Sequence, residues 1–214
     1  SSSVSILKYD TQSEINYDER DELGYLVYAA HRFNNLRNLV LVTSVDMSLY
    51  HTVYILSQKS SNNNWNRVIR FTSKGFFEPA DWLRNVSTFS VLANYTVYDF
   101  QDIISDIKSY SFRQLNLKDS LIIKFSKHIG MEIYSEIKMY ERGELNWNAF
   151  TQRPINYFED RILNPGLNYF FNRFIVLSAG YRYFEQRRYN YVNGNREFEN
   201  FIRTTGPFAR LRVE

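Results

Sequence analysis

Asn38-Leu-Val-Leu-Val-Thr-Ser-Val-Asp-Met-Ser-Leu-Tyr-His-Thr-Val-Tyr-Ile-Leu56 is the stretch on which the fold turns. Its odd positions run Leu39, Leu41, Thr43, Val45, Met47, Leu49, His51, Val53 and Ile55, almost wholly apolar. Its even positions run Asn38, Val40, Val42, Ser44, Asp46, Ser48, Tyr50, Thr52 and Tyr54, mostly polar or tyrosine. Successive side chains of a strand point to opposite faces, so the period of two predicts a strand with one apolar face. Ordinary strands end after roughly five or six residues. A strand that crosses a bilayer needs roughly nine to eleven, and more where it projects beyond the lipid.

Composition narrows the choice. The chain has 214 residues, with 17% aromatic, 44% hydrophobic, eight Gly and four Pro. That argues against collagen-like order and against a disordered linker. Mean hydropathy is -0.43, and no apolar run reaches the length of a transmembrane helix. Two classes remain: a soluble β protein, or a transmembrane β-barrel whose polar lumen keeps mean hydropathy low. Net charge is +3 from 26 basic and 23 acidic residues, too mixed to predict a nucleic-acid partner. With no cysteine there is no disulfide framework, thiolate zinc site or cysteine nucleophile. Ser1 to Ile6 lacks the basic start and apolar core of a signal peptide. Arg210-Leu-Arg-Val-Glu214 stops within an alternating pattern, so the expectation is a segment of a longer barrel.

The same period recurs along residues 1–214, read as one β domain of roughly ten strands. They fall near residues 3–10, 23–33, 38–56, 65–77, 86–98, 109–126, 131–142, 161–171, 174–189 and 198–213. Asp119 interrupts an apolar face in the sixth, by a bulge or another register. Pro165 in the eighth suggests an edge or a bulge. Ile103, Ile104 and Ile107 have the spacing of one helical turn. Val192-Asn-Gly-Asn195 carries a hairpin signal. Connections alternate in length. Residues 34–38, 78–85, 127–130 and 172–173 are short or fairly short, whereas 11–22, 57–64, 99–108 and 143–157 are longer and polar. Short periplasmic turns and longer external loops are the habit of outer-membrane barrels.

Candidate chemistry is sparse. His31, His51 and His128 have neither zinc-site spacing nor a placed nucleophile, so no catalytic residue, metal site or cofactor is expected. Asp18-Glu-Arg-Asp-Glu22 lacks the ordered spacing of a calcium loop. Glu132, Glu136, Lys138 and Arg142 share a strand face, as do Arg182 and Arg188. In a barrel these six are the lumen-facing candidates, lining a charged pore or tying strands together by ion pairs. Tyr95, Tyr169, Phe171, Tyr181 and Tyr183 suit interfacial girdles. The basic, aromatic run Arg182-Tyr-Phe-Glu-Gln-Arg-Arg-Tyr189 has the interleaving of a nucleic-acid strand site, but Glu185 and the alternation favour a barrel wall with a basic rim, which could meet lipopolysaccharide phosphates.

Several segments also resemble strands and loops of uncharacterised bacterial outer-membrane β-barrel proteins: Asn62-Asn-Asn-Trp-Asn-Arg67, Val91 to Phe100, Ser111-Phe-Arg-Gln114, Gly143-Glu-Leu-Asn-Trp147 and Gly180-Tyr-Arg-Tyr-Phe184. The resemblance runs from about Asp18 onward and carries no catalytic signature. It implies a barrel in a Gram-negative-type outer membrane and no known substrate. The expectation is therefore an all-β, antiparallel, up-and-down transmembrane barrel. Its expected role is a non-enzymatic channel, transport or secretion component, or structural anchor, with the lipid bilayer as partner. The rival is a soluble β-barrel or sandwich that binds an apolar ligand inside.

Overall fold

The computed structural model describes residues 1–9, 19–103, 107–172 and 174–213. The period-two segments form ten strands: β1 (Ser2–Lys8), β2 (Arg20–Leu36), β3 (Leu39–Tyr54), β4 (Asn64–Ala80), β5 (Leu83–Tyr98), β6 (Tyr110–Lys124), β7 (Ile129–Asn146), β8 (Thr151–Phe170), β9 (Ile175–Val192) and β10 (Asn195–Val213). They lie in one antiparallel sheet in the order of the sequence, each strand paired with the next. This is the up-and-down topology expected from the alternation. Among the described residues the one helical element is a short 3-10 helix, Ser57–Asn62.

Turn chemistry explains the hairpins. Asn193 and Gly194 both take positive φ, 51° and 81°, as the mirror-image turn between β9 and β10 requires. Asn38, at φ 61°, closes β2 onto β3 in the same left-handed region. Asn172 Oδ1 accepts the backbone N–H groups of Phe174 and Ile175 and so starts β9.

Four sequence expectations change, and a fifth falls partly outside the described residues. The long loop expected over 143–157 is largely strand, because β7 runs to Asn146 and β8 begins at Thr151. Pairing there passes from Arg142↔Asn156 to Gly143↔Pro154, so Ile155 is skipped, which hid the period. The acidic stretch enters β2 at Arg20, whose Nε lies 2.6 Å from Glu22 Oε1; residues 10–18 lie outside the described residues. Asp119 needs neither bulge nor slip. The β6–β7 pairing is continuous, and Asp119 stands on the apolar face with its carboxylate bonded by Asn85 Nδ2 at 2.9 Å and by Ser87 Oγ. Pro165 lies in an interior strand. Its ladder with β9 lapses between Leu163↔Tyr183 and Gly166↔Gly180, with no residue inserted. The helical turn expected around Ile103 begins as a turn in which Ile103 N–H bonds Phe100 O at 3.0 Å; residues 104–106 lie outside the described residues.

The two faces differ in kind. Among the described residues the buried hydrophobic side chains are Val97 and Leu145 alone. Met47 is 45% exposed, Ile69 44% and Leu167 61%; Phe71, Val91, Leu117, Ile137, Leu163 and Leu177 are exposed on the same face. The opposite face is polar and crowded, with Asn116, Asn168 and Ser178 buried. In β8 the exposed Leu167 and Tyr169 alternate with the buried Gly166 and Asn168. A half-covered soluble sheet has the reverse pattern, apolar side in and polar side out.

Candidate functional site on the polar face

Register decides which polar side chains meet. Glu132, Glu136, Lys138 and Arg142 alternate along β7, and Arg182 and Arg188 along β9. All six share the polar face with Asn116, Asp160 and Asn168. They do not form one cluster. Glu132 and Arg182 line a single cavity of about 360 Å³ toward one end of β7–β10. Arg210 of β10 reaches across two strands to Glu132, Nη2 to Oε2 3.2 Å, over the small residues Ser178 and Asn168. Glu136 accepts from the Tyr134 hydroxyl at 2.6 Å and pairs with Lys118 at 3.5 Å.

Three of the four basic candidates, Lys138, Arg142 and Arg188, sit on rings rather than on carboxylates. Tyr140 and Phe158 stack with centroids 4.8 Å apart, and Phe112 packs beside Tyr140. The Lys138 ammonium lies 5.1 Å from the Tyr140 ring and the Arg188 guanidinium 5.6 Å from Phe158. Arg142 covers Tyr110 at 5.0 Å. Gln186 Nε2 donates to Asp160 Oδ1 at 2.8 Å. Sequence reading missed this aromatic row. Its members are ordinary even-position residues until the register places Tyr140 opposite Phe158 and Gln114.

The apolar face carries two aromatic levels. Tyr169 and Phe171 meet edge-on at 4.7 Å beside the shorter turns. At the other end Tyr95, Trp147 and Phe150 cluster, with Arg67 4.2 Å over Trp147. Trp147 thus packs its turn onto the wall. His51 stacks on Trp65 at 4.0 Å, with Nε2 3.0 Å from Asp99 Oδ2. His128 Nδ1 bonds Phe170 O at 3.0 Å, and His31 packs on Phe33. Among the described residues no group of three or more His, Asp or Glu is placed to hold a metal ion.

Beyond this apolar stretch β8, β9 and β10 carry a charged lattice on the same face. Glu159 is opposite Arg187, and Glu185 stands between Arg161 and Arg203. Glu185 is 2% exposed. It accepts from the Tyr183 hydroxyl at 2.6 Å, from Arg203 at 2.7 Å and from Arg187 at 2.7 Å. These bonds hold its carboxyl at about 2, below the ordinary 4.5. A depressed carboxyl adds stability that is complete above the ordinary value and disappears as pH falls through the folded one. Unfolding midpoints measured in detergent should therefore drop between about pH 4.5 and 2, and Glu185→Gln should flatten that drop. Equal pH profiles for both proteins would show that the lattice does not hold this carboxylate.

No protein-family model matches the chain, and no curated relative was found by sequence. Among solved structures the chain is similar to the copper transporter OprC, with a TM-score of 0.62 and 9% identity over 89% of this chain. At that identity the likeness is one of fold: an antiparallel up-and-down sheet of the outer-membrane-barrel type. The chain spans 34% of the length of that transporter chain.

Proposed function

We propose that the chain is the wall, or a large part of the wall, of an outer-membrane channel or transporter. The apolar face meets lipid and the polar face lines an aqueous lumen. One observation carries the reading: the apolar side chains are exposed and the polar ones crowded. An apolar face of ten strands left in water would be a large exposed patch of the kind soluble monomers avoid. A bilayer covers it without a second sheet. The copper transporter's fold supports the same class of role. The wall acts by positioning and passing solutes rather than by catalysis.

Strand overhang supports an orientation. Nine residues from Ile175 to Tyr183 carry the apolar side of β9, about what a tilted strand needs to cross. Glu185, Arg187 and Tyr189 lie beyond them, toward the Asn193–Gly194 turn. That end also bears the 55–63 and 99–109 connections, so it faces outward. Arg161, Arg187 and Arg203 then stand at headgroup height, where lipopolysaccharide phosphates offer partners.

Two measurements test this reading. Reconstituted protein should give stepwise ion conductance across a planar bilayer. A stable monomer in buffer without detergent, with no conductance, would return the chain to the soluble class. For sidedness, cysteines at Asn62 and Asn148 should react with an impermeant thiol reagent on intact cells, and one at Lys127 only after the outer membrane is opened. The native chain has no cysteine to compete. The reverse pattern would invert the orientation.

A further inference from the structure

We infer that the cavity between β7 and β10 is a binding site for a small polyhydroxylated solute of monosaccharide size. The inference rests on the polar face being water-filled, as proposed above. At about 360 Å³ the cavity lies at the small end of ligand pockets. Its floor is unusual. Gly166 and Gly180 are opposite each other, and the Phe208 ring lies against both, so close that a Cβ at Gly180 would stand 2.8 Å from a ring carbon. Two glycines thus make room for the tip of an aromatic ring in a polar wall.

Around the ring stand Glu132, Asn164, Asn168, Arg182 and Arg210. Asn168 is 6% exposed, and its Oδ1 has no hydrogen-bond partner among the described residues; the same holds for the buried Oδ1 of Asn164. A buried acceptor without a partner is costly, roughly 1–3 kcal/mol for such a group. Two of them in one cavity give a ligand hydroxyl two acceptors to take over from lumen water. Arg182 adds guanidinium donors and makes no ion pair among the described residues.

The mixture of groups selects the ligand class. Two guanidiniums disfavour a metal cation. Glu132 and two amide acceptors disfavour a phosphate or other bare anion. A hydroxyl both donates and accepts, so several hydroxyls on one ring satisfy the amide oxygens and the guanidiniums together. The apolar C–H groups of such a ring pack against the Phe208 ring that lines the cavity.

Binding of D-glucose to the detergent-solubilised protein tests the inference, read by saturation transfer from protein to the sugar C–H protons and by titration calorimetry. Glycine betaine, of similar size but without hydroxyls, serves as comparator. Glucose should bind, betaine should not, and Asn168→Ala should weaken glucose roughly tenfold, about 1.4 kcal/mol. Arg182→Gln, at a side chain with no ion pair to lose, should weaken it as well and stands in if Asn168→Ala fails to fold. No glucose binding, equal binding of betaine, or binding unchanged in the variant that folds would each overturn the site. Conductance separates this from the wider reading. Conductance without glucose binding removes the site and leaves the channel; glucose binding without conductance keeps the site and removes the channel.

Discussion

Arginine in place of Leu167 is expected to destabilise the bilayer-embedded protein by about 2–4 kcal/mol, while Lys138→Gln on the polar face changes stability by less than about 1 kcal/mol. Leu167 lies on the apolar face, 61% exposed, between Met131 and Ala179. An arginine there carries its charge into hydrocarbon, because Ala179 is at the middle of the apolar stretch from Ile175 to Tyr183. Lys138 lies on the other face between Asn116 and Asp160, with its ammonium over Tyr140. Its loss removes one cation–ring contact and no buried ion pair. Refolding equilibria in bilayers, by urea titration and tryptophan fluorescence, check both. Equal small effects at the two positions would mean that neither face meets lipid.

Alanine at Gly180 should abolish refolding, whereas alanine at Gly206 should leave it intact. A Cβ on Gly180 would overlap the Pro165 carbonyl oxygen, approach the Gly166 Cα to 2.7 Å and meet the Phe208 ring at 2.8 Å. Two of these are backbone atoms of the facing strand, so relief requires β8 and β9 to separate. The ladder has already lapsed beside Pro165, which has no N–H to donate. Few local bonds hold the strands together while a clash pushes them apart. Gly206, in β10 opposite Arg182, has open space where its Cβ would stand. The readout is the heat-modifiable gel shift of a folded barrel wall together with far-ultraviolet circular dichroism. A folded Gly180→Ala protein would show that the β8–β9 spacing can relax.

The class of fold, the strand order and the sorting of side chains to two faces were legible in the residues alone. Side-chain direction in a strand is local, so Leu39 to Ile55 declared an apolar face before any partner strand was known. Asn193-Gly194 declared its hairpin for the same reason, since positive φ at both positions is a property of those residues. Glu132, Glu136, Lys138, Arg142, Arg182 and Arg188 could likewise be placed together on one face.

Which neighbours those residues have follows from register, which joins residues far apart in the chain. Asp119 reads as a break in an apolar row until Asn85 and Ser87 arrive beside it from β5. Pro165 reads as an edge marker, yet an interior strand accommodates it where Gly180 allows close approach. The 143–157 stretch loses its period at one skipped residue, Ile155, and only pairing with β7 restores it as strand. The cavity has no sequence signature at all. Phe208, Gly166, Asn168 and Arg182 come from three strands, and their meeting follows from pairings such as Phe208↔Gly180 and Gly166↔Gly180. Period two fixes the face of a residue; only the offset between strands, a cooperative property of the whole ladder, fixes what stands beside it.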